Sequence, residues 1–89
     1  MSTYPPLTEH ARKRMDQRGI GKALVELTIS YGREIHYRKA VYYFVGDKEI
    51  KKYKKFLDLK PCKGLHVVFN DSGLISTVYR NNKPSYRRK

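Results

Sequence analysis

The first third of the chain repeats its apolar residues with the period of a helix. Ala11 and Met15 lie four residues apart, so both can face a core from one helix side. Thr8 precedes this run as an N-cap residue, and Gly19 follows it as a C-terminal stop. The pattern therefore predicts a helix from residue 9 to residue 18.

A second helical pattern follows from residue 22 to residue 30. Leu24, Leu27 and Tyr31 recur at helical spacing and define its buried side, with Val25 and Ile29 flanking it, and Gly32 closes the helix.

After residue 32 the period of the apolar residues falls to two, which is typical of half-buried strands. The hairpin at Asp71-Ser72-Gly73 has the strongest turn signal, whereas Arg38-Lys39 is short enough for a hairpin but lacks an Asn-Gly pair. The predicted strands are residues 33–38, 40–45, 65–70 and 74–80.

Between the two strand pairs, Asp47 can cap a third helix that runs to about Phe56. Ile50, Tyr53 and either Phe56 or Leu57 share its apolar face. The order is therefore α-α-β-β-α-β-β, an α+β fold with two N-terminal helices and one inserted helix packed on a four-stranded antiparallel sheet. The other face of the sheet should stay open to solvent or to a ligand.

The chain of 89 residues is long enough for one domain only. We expect an extended lead over residues 1–7, the domain over residues 8–81, and a basic, mobile tail over residues 82–89. No apolar run approaches the ~20 residues that span a bilayer, and residues 1–6 do not resemble a signal peptide. We therefore expect a cytoplasmic protein with no membrane association.

The net charge is +12, from 20 Lys and Arg against 8 Asp and Glu, and it gives information about the partner of the protein. Folding gains nothing from this charge, so it favours a polyanionic partner, with nucleic acid first and an acidic protein second. Basic side chains bind phosphates, and the interleaved tyrosines can stack on unpaired bases. The candidate binding residues are Arg38, Lys39, Lys51, Lys52, Lys54, Lys55, Arg87, Arg88 and Lys89. The alternative is that the lysines only solvate one face of the third helix.

His10 is the strongest single candidate for chemistry. It can titrate near neutral pH, and Arg14 lies one helical turn later. A guanidinium beside it, and the positive end of the helix dipole, favour the neutral imidazole that a general base requires. The alternative is a structural or capping histidine. His36 and His66 alternate along strands and are predicted to be outward polar residues.

Tyr79 and Arg80 end the last strand, where a phenol and a guanidinium can point into a groove. Alternation with Ile75 and Thr77 allows the simpler interpretation of Tyr79 as a core ring. Scattered carboxylates, one cysteine and three scattered histidines lack metal-ligand spacing, so we expect no metal or other cofactor.

Residues 7–20, Leu-Thr-Glu-His-Ala-Arg-Lys-Arg-Met-Asp-Gln-Arg-Gly-Ile, resemble the start of a small, largely uncharacterised bacterial and phage domain family. Its members typically begin with a His-Ala-x-x-Arg-Met-x-x-Arg-Gly-Ile helix and finish with a hairpin like residues 65–80. Residues 43–50 also fit, so the resemblance covers about residues 7–81.

That family is similar to the toxin-like ribonuclease group that includes RelE, BrnT and the colicin D nuclease domain. The resemblance implies N-terminal helices on a four-stranded antiparallel sheet, metal-independent cleavage of RNA, and an acidic antitoxin-like protein as a partner. It carries active-site roles over to His10, Arg14, Arg18, Tyr79 and Arg80.

We therefore expect an RNA-binding protein that acts as a metal-independent endoribonuclease of toxin type. A non-catalytic nucleic-acid-binding module, such as a phage regulator, and a module that binds an acidic protein remain as alternatives. The catalytic interpretation requires the five carried-over side chains to converge on one concavity.

Overall fold

The computed structural model describes residues 6–81. Within them, three α-helices and a four-stranded antiparallel sheet follow the predicted order, so the α+β fold is confirmed. Most of the expected lead and the whole expected tail lie outside the described residues. The elements are α1 (Glu9–Arg18), α2 (Lys22–Tyr31), β1 (Arg33–Tyr37), β2 (Ala40–Phe44), α3 (Asp47–Tyr53), a one-turn 3₁₀ helix (Lys60–Cys62), β3 (Leu65–Phe69) and β4 (Ile75–Arg80).

Both ends of α1 are set by the residues that the sequence indicates. The hydroxyl oxygen of Thr8 accepts a hydrogen bond of 3.1 Å from the Ala11 N–H, which caps the helix. Gly19 ends the helix with φ 64°, a left-handed conformation that glycine adopts without steric cost. Ala11 and Met15 are buried, as predicted.

Backbone hydrogen bonds fix the start of α1 against the edge of β4. The Ile75 N–H donates to the Pro6 carbonyl at 3.1 Å, and the Thr8 N–H donates to the Ile75 carbonyl at 3.0 Å. Leu7, which lies between Pro6 and Thr8, packs against the core. Because β4 is an edge strand, these bonds satisfy backbone groups of its open side and place α1 beside it.

The strand order is β1-β2-β3-β4, and each strand pairs antiparallel with its neighbours. The predicted β3–β4 hairpin is confirmed, with the Asn70 side chain accepting bonds from the N–H groups of Ser72 and Leu74. The β1–β2 turn places Arg38 at φ 51° and Lys39 at φ 64°. Two consecutive positive φ angles suit the twist of a two-residue hairpin even without the usual Asn-Gly pair.

The main core lies between the helices and one face of the sheet. Leu65, Val67 and Val78 on that face are fully buried. On α2 the most buried residues are Val25 and Thr28, whereas the apolar side chains predicted to face the core are only partly buried. Thr28 can lie there because its hydroxyl donates to the Leu24 carbonyl at 2.8 Å.

The opposite face of the sheet was expected to be open, and this prediction is wrong at its centre. Cross-strand register aligns Phe44, His66 and Tyr79 in one row. The Phe44 and His66 ring centroids are 4.6 Å apart, and so are those of His66 and Tyr79. Phe44, His66 and the nearby Val68 are buried, because the rings cover one another.

The N-cap of the third helix lies one residue earlier than expected, and the helix ends sooner than expected. Gly46, not Asp47, is the N-cap, and the Glu49 carboxylate accepts its N–H at 2.9 Å. Glu49 also binds the Arg33 guanidinium at 3.1 Å. The helix ends at Tyr53 rather than near Phe56.

Beyond α3, Leu57 packs against the core while Phe56 is 80% exposed. Of the two residues considered for the apolar face, Leu57 is therefore the one that packs against the core, partly buried.

Across residues 6–81, none of the helices combines the length and the apolar character that crossing a membrane requires.

Candidate active site

A cavity of about 720 Å³ opens where α1 lies beside β4. All five residues carried over from the resemblance line it, and Arg80 does so from the face of β4 opposite to that of Tyr79. The cavity is lined by His10, Arg14, Arg18, Ile20, Thr77, Tyr79, Arg80 and Asn81.

The helix α1 supplies an imidazole and two guanidinium groups from one side. His10, Arg14 and Arg18 are spaced by four residues, which aligns them along the helix. The Arg14 Nε–H donates to His10 Nε2 at a distance of 3.4 Å. In this bond His10 Nε2 is the acceptor.

The other arginines are held by backbone carbonyls. Arg18 donates to the Val78 carbonyl at 3.1 Å, which ties α1 to β4 a second time. Arg80 donates to the carbonyls of Pro61 and Lys63 at 3.0 and 2.9 Å. A guanidinium has five N–H donors, so these bonds orient both groups and leave other donors for an anion.

Tyr79 is both a packed ring and a cavity residue, which combines the two interpretations of the sequence. Its ring stacks on His66 at 4.6 Å with 8° between the planes. Burial raises the pKa of the Tyr79 phenol, and the neighbouring Tyr42 raises it further. The phenol is therefore protonated at neutral pH and can donate a proton.

His66 is fully buried, which corrects its prediction as an outward residue, whereas His36 is exposed as predicted. The His66 Nδ1 lies 3.0 Å from the Gly64 carbonyl oxygen, so Nδ1 carries the proton in this bond. Burial lowers the pKa of His66, although the bond to Gly64 acts in the opposite direction. His66 is thus a neutral ring that supports Tyr79 from behind.

The buried His66 predicts a loss of stability in mild acid. Below pH 6.5 the unfolded chain binds a proton at this residue while the folded protein resists it. The free energy of unfolding should therefore fall as the pH drops from about 6.5, by at most about 1.4 kcal/mol per pH unit. Urea denaturation at several pH values measures this slope.

His66→Phe should remove this part of the slope, because phenylalanine keeps the stacked ring without a titrating group. His36→Ala should keep it. The pKa of Glu49 is also lowered, by its bonds to Arg33 and Gly46, which outweigh burial. The loss of stability that comes from Glu49 occurs below pH 4.5, so it is separate from the loss that comes from His66. An unchanged slope in His66→Phe would contradict the assignment.

Three lining residues were not identified from the sequence. Ile20 is buried and forms an apolar wall, while Thr77 and Asn81 contribute polar groups. Alternation places Thr77 on the same side of β4 as Tyr79, which is a signal that could have identified it. Asn81 follows β4 directly and has no comparable signal.

The electrostatic character of the cavity is cationic. Three arginines line it, and none of its lining residues in the described part of the chain is a carboxylate. Likewise, residues 6–81 include no group of three or more His, Cys, Asp or Glu placed to hold a metal ion. The cavity therefore suits an anion such as a phosphate.

The predicted nucleic-acid-binding residues that fall within residues 6–81 lie outside this cavity. Arg38 and Lys39 form the exposed β1–β2 turn, and Lys54 and Lys55 are exposed beyond α3. Lys51 and Lys52, with Asp47 and Lys48, line a second depression of about 340 Å³. Arg87, Arg88 and Lys89 lie outside the described residues.

Comparison with known families agrees with the resemblance at its broader level. Residues 7–80 match the model of DUF4258, a domain of unknown function, and the chain belongs to this family. Comparison with curated proteins and with solved structures found no match. The relation to RelE, BrnT and the colicin D nuclease domain stays a prediction.

Proposed function

We propose that this domain binds RNA and cleaves it without a metal ion, as a relative of the toxin-like ribonucleases. The observation that supports this most is a single cavity whose lining includes one histidine, three arginines and one tyrosine. These groups come from α1 and β4, which are far apart in sequence but adjacent in the fold.

The substrate class follows from the cationic lining. Guanidinium groups bind phosphate oxygens through paired, charge-assisted hydrogen bonds. Three of them around one cavity suit a phosphodiester and the additional charge that develops on it during reaction. The net charge of +12 would attract a polyanion at long range.

His10 is the proposed general base. When Arg14 turns to a phosphate oxygen, its bond to His10 Nε2 is released and this nitrogen can take the proton of a ribose 2′-OH. The 2′ oxygen then forms a bond to phosphorus while the bond from phosphorus to the 5′ oxygen breaks. The products are a 2′,3′-cyclic phosphate and a 5′-hydroxyl end.

Tyr79 is the proposed acid. Its raised pKa keeps the phenol protonated, so it can give its proton to the departing 5′ oxygen. Arg18 and Arg80 are oriented before substrate arrives, because backbone carbonyls hold them. Preorganised charge of this kind stabilises a transition state without rearrangement.

A direct test incubates the purified protein with end-labelled RNA in excess EDTA. We expect cleavage that leaves 2′,3′-cyclic phosphate ends. DNA of the same sequence should stay intact, because it lacks the 2′-OH that attacks.

Cleavage that requires a divalent cation, or that leaves 3′-hydroxyl ends, would contradict this mechanism. RNA binding without any cleavage would instead support the non-catalytic nucleic-acid-binding module.

A further inference from the structure

The exposed side of α3 carries three lysines and one carboxylate, Asp47, which pairs with Lys63. The buried side of the helix is formed by Ile50 and Tyr53, which pack against the core. Lys48, Lys51 and Lys52 line the depression of about 340 Å³, and Lys54 and Lys55 follow on exposed backbone.

Phe56 stands out of this basic surface. The N–H groups of Phe56 and Leu57 both donate to the Tyr53 carbonyl, at 2.8 and 3.0 Å, which forms a tight turn at the end of α3. The turn directs Leu57 into the core and leaves Phe56 80% exposed. A partner that carries both anionic and aromatic groups would cover this ring and pair with the lysines that precede it, Lys54 and Lys55.

The basic surface is connected to the candidate active site. Arg80, which lines the cavity, donates to the Lys63 carbonyl at 2.9 Å. The Lys63 ammonium lies 3.2 Å from the Asp47 carboxylate, and Asp47 lines the second depression. Lys63 therefore contacts one residue of each cavity lining, Arg80 and Asp47.

We propose that this surface, the α3 platform, binds a single-stranded segment of nucleic acid. Lysine ammonium groups contact the backbone phosphates, and the Phe56 ring stacks on one unpaired base. The path of the strand rests on the proposed function, because the strand is taken to run from the active-site cavity over Lys63 to this surface. The α3 platform consists of Lys48, Lys51, Lys52, Lys54, Lys55 and Phe56.

The geometry favours a single strand over a duplex or a membrane. The bases of a duplex are stacked on each other, so their faces are not accessible to Phe56. A helix that binds a membrane surface presents a broad apolar face to the lipid. The apolar side of α3 is instead packed in the core, which leaves one phenyl ring for the partner.

The test measures binding of fluorescein-labelled 2′-O-methyl RNA by fluorescence anisotropy. This probe cannot be cleaved through its 2′ oxygen, so binding is measured whether or not the domain is a ribonuclease. Phe56→Ala should weaken binding of the single strand by about five- to 150-fold and leave binding of the matching duplex unchanged. Phe56→Leu should weaken it similarly, because leucine is apolar but has no π face.

The comparison is Tyr37→Leu, which removes a 38% exposed ring beside the β1–β2 turn. It should lower single-strand affinity less than Phe56→Ala does, and an equal loss would mean that Phe56 is not the main stacking residue. In parallel, the Phe56→Ala protein should cleave a dinucleotide as fast as the unchanged protein does. A dinucleotide occupies the active-site cavity and does not reach Phe56. Equal single-strand affinity of Phe56→Ala and the unchanged protein would overturn the proposal. So would a loss of binding to phosphatidylserine vesicles that leaves RNA affinity intact.

Discussion

Replacement of His10 by alanine is expected to slow RNA cleavage by about 10²–10⁴-fold, the usual contribution of a general base. The guanidinium groups of Arg14, Arg18 and Arg80 remain in this variant, so RNA affinity should stay close to that of the unchanged protein. His10 is exposed, so its replacement should leave the free energy of unfolding nearly unchanged. Single-turnover cleavage of labelled RNA in EDTA measures the rate, and anisotropy measures the affinity.

His36→Ala is the matched control for this prediction. His36 is also exposed, lies on β1, and pairs with Glu34 at 2.7 Å outside the cavity. Its replacement should leave the cleavage rate intact. A His10→Ala protein that cleaves at the full rate would refute the role of His10. One that loses affinity but keeps its single-turnover rate would show that His10 binds RNA rather than activating the 2′-OH.

The second large effect is on stability and concerns Gly32. A serine there is expected to lower the free energy of unfolding by about 1–3 kcal/mol or more. A Cβ atom at this position would overlap the Thr28 carbonyl oxygen, and it would lie 3.0 Å from the oxygen and 3.2 Å from the nitrogen of Phe44. These are backbone atoms of α2 and β2, so relief requires the helix and the sheet to separate. Urea denaturation measures the loss.

Gly21→Ser provides the comparison for this substitution. A Cβ at Gly21 meets nothing within 4 Å, and serine is a favourable residue at this N-cap position. The change should therefore be neutral or stabilising. Equal stability of the Gly32→Ser and Gly21→Ser proteins would mean that α2 and β2 tolerate wider spacing than the structure indicates.

Gly32 also illustrates why some features could be predicted from the sequence and others could not. The caps of α1 and the turn before β4 depend on neighbours along the chain, so Thr8, Gly19 and the Asp71-Ser72-Gly73 turn identified them. Gly32 was assigned as the residue that closes α2, which is correct. Its φ of −75°, however, is open to any residue, and the requirement for glycine comes from the close approach of the Thr28 and Phe44 backbones.

The same distinction applies to the candidate site. Helical spacing grouped His10, Arg14 and Arg18, and alternation placed Tyr79 on β4. The position of α1 beside β4 depends on hydrogen bonds between backbone atoms of Pro6, Thr8 and Ile75. Backbone bonds of this kind cannot be predicted from the pattern of side chains.

His66 was misplaced for a related reason. Alternation shows which face of a sheet a residue occupies, but it does not show what covers that face. Here Phe44 and Tyr79, from the two neighbouring strands, cover the His66 ring. The hairpin turn before β4 could have placed Tyr79 beside it, whereas the contact with Phe44 depends on the pairing of β2 with β3.

The attachment of α1 to β4 also has a consequence for the order of events during translation. The hydrogen bond from Arg18 to Val78 joins residues 60 positions apart, and that from Thr8 to Ser76 joins residues 68 positions apart. The ribosome adds roughly 5–20 residues per second, so α1 waits several seconds for its partner strand. A nascent chain that stops before β4 carries His10, Arg14 and Arg18 with no cavity around them. Any activity of this cavity therefore begins only after nearly the whole domain has left the ribosome.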